Sequence, residues 1–379
     1  MRTASKKHVL VVGAGFAGAA YARTLAEAGI RATVIDKRDH IGGNAFDYTD
    51  SSGTRVHRYG PHLFHTNNEG VVRWLRQWGD WVPYDHRVRS LLPTGKTAPL
   101  PINRRTLEIV FDVDLPDAEA AAAFLARVAV PVDRVENAAD FLRSRIGAEL
   151  TDLFFRPYTK KMWELDLEEL DASVVKRLPL RFDDEDRYFA DDQFQIMPRH
   201  GYTGIFERIL DHANIEIRLG EPFARGMEDG FDCAFLSMPI DEYYGEALGP
   251  LPYRSIKFEH QFKAKQPDMT WAVTNYTDSG PYTRETAWHM LPLHGNDAQT
   301  GTYTRECPCD YKDNNLERYY PVRTSDGRYQ KVYDQYAALA AQTPHIRFIG
   351  RCGTYQYLDM HQVINQSLRG VEKWLNELQ

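Results

Sequence analysis

Cysteine is scarce in this chain: four in 379 residues, at positions 233, 307, 309 and 352. None form a C-x-x-C pair, so the spacing of a zinc ribbon or a thioredoxin-type redox site is missing. Cys307-Pro308-Cys309 reads as reduced thiols in a loop. No apolar run approaches the ~18 residues of a membrane span. The apolar stretch after Lys6 and Lys7 stops at glycines, too short for a signal peptide. Positive charge is also in short supply, with 46 basic against 53 acidic residues and a net charge of −7. A general nucleic-acid surface is therefore disfavoured, while a local basic pocket for an anion is not. No internal repeat, low-complexity tract or long linker is present. These absences leave a cytoplasmic enzyme with no membrane partner as the default. The length of 379 residues suggests two or three domains, the 43% hydrophobic content is enough to bury a core, and the chain reads as one body with interleaved domains.

What is present begins at the N-terminus. HVLVVG, His8–Gly13, is a short apolar run ending in glycine and predicts a buried strand. An alanine-rich helix is expected over Phe16–Ala28, stopped by Gly29, followed by a second strand at Arg31–Asp36. Between strand and helix stand Gly13, Gly15 and Gly18, a G-x-G-x-x-G. The glycines allow a tight turn, and the helix start offers free N–H groups to a pyrophosphate. Asp36 ends the second strand at the spacing expected for a ribose-binding acid. Gly42-Gly43, preceded by Arg38, favours FAD over NAD; the acid argues against NADP, and Arg38 weakens that inference. Further on, helices are expected from about 117 to 165, including Ala118–Val130 and Asn137–Leu153. Antiparallel strands are expected at 255–264, 269–277 and 301–307, a buried strand at Ile346–Gly350 and a final helix at Met360–Leu378.

Aromatic and cationic residues recur together. FFRPYTKKMW holds Phe154, Phe155, Tyr158 and Trp163; RLPLRF begins at Arg177; RYF holds Tyr188; PYTRE holds Arg284; ERYYPV holds Tyr320; GRCGTYQYLDM holds Arg351, Tyr357 and Asp359. Arginine forks suit phosphate, and aromatic faces suit a nucleobase. GPHLFHT, with His62 and His65 three apart, reads as a metal site, an acid–base pair or a turn against a flat ring. A metal needs three or four ligands, and no further histidine-rich partner stands out.

The ordered series GAGFAG, DKRDHIGGN, YGPHLFHTN, PYDHRV, YTKKMW, ELDASVVKRLPLR, EDRYF, NYTD, PYTR, YYPV and GRCGTYQYLDM resembles the UDP-galactopyranose mutase family from Val11 to about Leu368. The resemblance implies an α/β fold: a discontinuous Rossmann-like FAD-binding domain, an inserted helical domain and a twisted antiparallel sheet domain. On this chain these would be 1–80, 199–245 and 325–379 for FAD; 101–185 for the helices with a mobile lid; and 81–100, 186–198 and 246–324 for the sheet. It implies interconversion of pyranose and furanose forms of a nucleotide sugar, with UDP-galactose as first candidate. Reduced FAD would act through a covalent flavin N5–sugar adduct. A homodimer is implied as well.

By motif, the resemblance assigns cofactor contacts to Gly13, Gly15, Phe16, Ala17, Gly18, Asp36, Lys37, Gly43, Asn44, His62, Leu63, Arg351, Asp359 and Met360. It assigns diphosphate binding to Arg177 and Arg284. The uridine site falls to Phe154, Phe155, Tyr158, Trp163 and Tyr188, and the sugar and phosphate surroundings to Tyr320, Tyr357 and Asp359. His65 is expected near flavin N5, and Asp359 is also expected to cap a helix. The chain departs from the family at ETAWHM, at Cys307, in a longer RYFADDQFQ, and at Met162 and Glu164 around Trp163. Those departures keep UDP-N-acetylgalactosamine and dTDP-sugars open as substrates. An FAD-dependent amine or alcohol oxidoreductase and a non-catalytic FAD-bearing protein are the rivals from other classes.

Overall fold

The computed structural model describes residues 7–176, 179–295 and 298–378. Strand β1 (His8–Val12), helix α1 (Phe16–Glu27) and strand β2 (Arg31–Asp36) follow one another as expected. The two strands lie side by side and parallel, with Val11 opposite Val34. They form the centre of a five-stranded sheet in the order 215–219, β2, β1, 233–236, 346–348, every pairing parallel. Central strands of such a sheet are covered on both faces, which is why β1 is apolar throughout rather than alternating. One covering layer is α1, whose Ala19, Ala20 and Ala22 are fully buried and let the helix lie close. Behind it runs the C-terminal helix Met360–Glu377. A Cβ at Gly370 would lie 2.2 Å from the Tyr21 hydroxyl, so glycine is needed where these two helices meet. Leu378, expected as the last residue of that helix, lies at its C-cap and is exposed.

A second sheet has seven strands, in the order 320–321, 253–264, 300–310, 284–287, 273–276, 88–91, 97–100. It is antiparallel as expected except at one place: 273–276 runs parallel to 88–91. Strand 273–276 is shorter than the stretch expected from its β-branched and aromatic residues; just before it, Trp271 Nε1 donates to Thr274 Oγ1 at 2.9 Å. Cys307-Pro308-Cys309 is not in a loop but inside the long strand Thr300–Asp310. A smaller sheet joins Phe64–Thr66 and Trp81–Pro83 to Phe194–Pro198.

The helical segment comprises Arg104–Phe111, Ala118–Val128, Ala138–Leu150 and Arg156–Trp163. Asn137 caps the third by accepting from Asp140 N at 2.9 Å. That helix is bent at Gly147, where φ is 78°, and a Cβ there would sit 2.3 Å from Val128 O. A π-helical turn over Thr151–Phe155 then swings the chain into Arg156–Trp163. Among the described residues no helix is long and apolar enough to cross a membrane, and no group of three or more His, Cys, Asp or Glu could hold a metal ion.

Candidate active site

The glycine turn after β1 is shaped for close approach. Gly13 has φ 103°, and a Cβ there would collide with Ser237 Oγ at 2.0 Å. A Cβ at Gly18 would lie 1.8 Å from Gly13 O. Gly43 passes so near that its Cβ would meet Gly15 Cα at 2.9 Å. Gly15 leads into α1 without a side-chain cap, which leaves the first N–H groups of the helix open to an anion. Asp36 fixes the turn: its carboxylate accepts from Ala14 N at 2.8 Å and Arg38 N at 2.9 Å. Its remaining lone pairs face a cavity of about 310 Å³.

That cavity is lined by Gly13, Gly15, Phe16, Ala17, Asp36, Lys37, Gly43, Asn44, His62, Arg351 and Met360, all expected from the sequence. Gly18, Leu63 and Asp359 are not in its wall; Gly18 acts through the turn, and Leu63 packs into the apolar core. Asp359 forms a capping box with Gln362 at the start of the C-terminal helix. Sequence reading missed Phe223, Ser237, Met238, Glu317 and Cys352 in the wall. Their signal was weak: SMP simply follows the strand Cys233–Leu236, and Ser237 is held by donating to Val12 O at 2.7 Å. Arg38 is committed within the protein, paired with Glu317 and lying 4.1 Å over the Tyr59 ring.

GPHLFHT divides its two histidines. His62 lines the cavity; His65 lies on the adjoining strand and does not. His62 N donates to His57 Nδ1 at 3.0 Å, and its own Nδ1 shares a 2.9 Å bond with Gly60 O. Burial pushes its pKa down to about 4, against the pull of Gly60 O, so the ring is neutral. His65 instead stacks on Phe189 at 3.6 Å and meets Asp192 through Nδ1 at 2.6 Å.

A second cluster adjoins the first. Strand pairing sets Arg284 opposite Glu306, and Arg284 Nε lies 2.7 Å from Glu306 Oε2. Glu306 is sealed at 1% exposure, whereas 27% of the Arg284 side chain remains accessible. The carboxylate thus backs the guanidinium and leaves it facing outward. Burial raises the pKa of Glu306 despite Arg284. At Arg284 burial works against the charge, but Glu306 outweighs it and keeps the cation. Glu306 Oε1 is buried and has no hydrogen-bond partner of its own, while Arg284 Nε is taken up by Glu306 Oε2, so the exposed part of the guanidinium is its far end. Cys307 drew attention in the sequence, but the neighbouring Glu306 carries the charge.

Tyrosines surround this pair. Burial raises the pKa of both Tyr158 and Tyr320, with Arg284 pulling the other way, so both hydroxyls stay protonated. Tyr320 stacks on Tyr357 at 5.3 Å, and Trp163 lies within about 6.3 Å of both rings. Arg351 sits over Tyr320 and Tyr357 at 5.3 and 5.1 Å, held by Tyr319 O and Leu358 O. Tyr188 packs against the same apolar cluster. Phe154 and Phe155 are buried in that cluster, and Phe155 lines a separate cavity of about 160 Å³. Arg177 lies outside the described residues. His86, not singled out in the sequence, is 3% exposed beside Phe189 and Tyr188.

The comparisons bear on this arrangement directly. Residues 153–357 match the family model described as UDP-galactopyranose mutase. Residues 11–78 match an NAD(P)-binding Rossmann-like domain. A probable UDP-galactopyranose mutase of Klebsiella pneumoniae is 37% identical, over 99% of this chain and 96% of that protein. This chain belongs to the UDP-galactopyranose mutase family. The mutase is also 34% identical to a dTDP-fucopyranose mutase of Escherichia coli, over 97% of this chain and 98% of its relative. In three dimensions it matches a reduced UDP-galactopyranose mutase crystal structure with TM-score 0.78 at 16% identity, covering 98% and 94% of the two chains. A putative protoporphyrinogen oxidase from Exiguobacterium shares the fold at TM-score 0.68 and 15% identity, covering 98% and 99%. As a member of this family the chain is an isomerase.

Proposed function

We propose that this mutase interconverts the pyranose and furanose forms of a nucleotide-diphosphate sugar, with UDP-galactose as first candidate and FAD as cofactor. The observation that carries the reading is the Arg284–Glu306 pair, an accessible guanidinium backed by a sealed carboxylate, standing among tyrosines beside a dinucleotide-shaped cavity. An oxidoreductase would have no need of that cation. The residues fit FAD: the glycine turn clears a path for the pyrophosphate, and Asp36 offers lone pairs to a ribose. With Arg38 engaged by Glu317, no free guanidinium there favours a 2′-phosphate.

FAD would be held by the glycine turn, Asp36 and the cavity wall around His62 and Arg351, and in its reduced form would supply a nucleophile for the anomeric carbon. The chain's own residues do the rest. Arg284 grips the diphosphate and stabilises its charge as it leaves, joined in this reading by Arg177. Tyr158, Trp163 and Tyr188 hold the base, with Phe154 and Phe155 packing behind. Tyr320 and Tyr357 border the sugar and, with Arg351 and Asp359, help to exclude water. Neutral His62 offers its ring and the adjoining turn to the cofactor edge, while His65 orders the segment around Asp192. The segments assigned from the sequence to cofactor, lid and substrate sheet keep those tasks in this proposal.

The test incubates dithionite-reduced protein with a panel of nucleotide sugars and resolves the products by chromatography. An isomer of unchanged mass, formed only with reduced flavin, is expected. Net oxidation of substrate with stoichiometric flavin reduction would refute the proposal. The relative named for dTDP-fucopyranose makes dTDP-6-deoxy sugars an essential part of the panel.

A further inference from the structure

Lys161 lies between Tyr158 and Trp163 on the helix Arg156–Trp163, yet points away from both. Its ammonium donates to three main-chain carbonyls: Tyr276 O at 2.9 Å, Asp278 O at 2.9 Å and Tyr282 O at 2.8 Å. Asp278 Oδ1 adds an ion pair at 3.4 Å. An ammonium has three protons, and here each has an acceptor in the same short loop. Only 10% of the side chain is exposed. Burial lowers the pKa of Lys161, opposed by Asp278. The loop 276–282 connects strand 273–276 to strand 284–287, which begins at Arg284. One side chain thus ties the tyrosine- and tryptophan-bearing helix to the turn that presents the diphosphate arginine.

The same helix is fastened at its end by a second cation. Arg254, 3% exposed on the strand Tyr253–Ala264, donates through Nε to Met162 O at 2.8 Å. It also pairs with Glu164 at 2.9 Å. Glu164 holds a left-handed φ of 58°, a conformation that costs a non-glycine residue about 1 kcal/mol. At this departure from the family pattern the glutamate pairs with Arg254. Helix, hairpin loop and strand are therefore joined through two largely buried cations, Lys161 and Arg254.

We infer that Lys161 is a positioning residue that sets the distance between the base-binding aromatics and the diphosphate-binding Arg284. The inference rests on the nucleotide-diphosphate reading above. Two subsites at a fixed separation bind a linked ligand far more tightly than its parts, and the gain vanishes if the separation drifts. Lys161 touches neither part, so its loss should spare each part and penalise the link between them.

The experiment measures binding of uridine, inorganic pyrophosphate and UDP to flavin-loaded wild type, Lys161→Met and Lys161→Arg by calorimetry. Methionine keeps the stem and removes the donors; arginine keeps the charge and cannot place three protons on these three carbonyls. For Lys161→Met, UDP affinity should fall about 10- to 100-fold, with uridine and pyrophosphate within about threefold of wild type. Lys161→Arg should fall between. UDP affinity unchanged in a folded, flavin-loaded Lys161→Met would overturn the inference. Equal weakening of all three ligands would overturn it too, by showing general loosening. Should Lys161→Met not fold, the arginine variant decides by the same two criteria. A wild-type chain that binds none of the three would instead bring down the substrate reading itself.

Discussion

At the scale of the residue, the decisive pair is Arg284 and Glu306. Arg284→Ala should retain flavin and lose turnover by about 10²–10³-fold, measured as kcat on reduced enzyme. It should also destabilise the protein by about 3 kcal/mol, because sealed Glu306 loses its counter-charge. The double variant Arg284→Ala/Glu306→Gln should regain most of that stability, read as melting temperature, without regaining turnover. If both recover together, the pair is not a phosphate grip. Single residues were the least legible part of this site in the sequence. Arg284 was found through PYTR, but Glu306 shows only in the strand register that sets 306 against 284. His62 was expected among the cofactor contacts and does line the cavity, whereas His65, expected near the flavin, is not in that wall, because two residues three apart in a turn and strand do not reveal which ring faces inward.

At the scale of the element, the β1–turn–α1 unit was fully readable, since each signal is local: an apolar run, glycines, an alanine face and Asp36. Gly18→Ala tests it. The added methyl would stand 1.8 Å from Gly13 O, and main chain cannot yield as a side chain would. The variant should lose flavin during purification and melt well below wild type; a flavin-loaded Gly18→Ala of normal stability would contradict the close approach. The π-helical turn Thr151–Phe155 and the bend at Gly147 were not readable, because periodicity continues through both. Gly147 is needed both for its left-handed φ of 78° and for a neighbour in space, Val128 O, and neither shows in its periodicity. The parallel entry of strand 273–276 beside 88–91 was hidden for the same reason: strand composition does not state direction.

At the scale of the whole molecule, burial of neutral histidines couples stability to pH. Burial, followed by Arg284 and His65, pulls the pKa of His86 from 6.5 down to about 3. Between those values the unfolded chain carries a proton that the folded chain refuses. Stability from this site is therefore complete above pH 6.5 and drains away as pH falls toward 3. His62 and His294, each lowered to about 4, act in the same direction. His86→Gln should flatten the fall in stability between pH 8 and pH 5 by about 2 kcal/mol, read from denaturant unfolding at the two pH values. An unchanged slope would mean that His86 titrates in the folded protein as it does in the unfolded chain.

The cofactor cavity also constrains how the chain comes into being. Its wall draws on Gly13, Asp36 and His62, then Ser237, then Glu317, and finally Arg351 and Val363. The parallel sheet beneath it likewise waits for residues 346–348. A nascent chain on the ribosome can form β1, α1 and β2 early, but it has no enclosed place for a flavin until nearly all of its length has emerged. Such distant pairings are slow to form. Ribosome-bound fragments ending before residue 346 should consequently be unable to retain a flavin, which would make loading a late event.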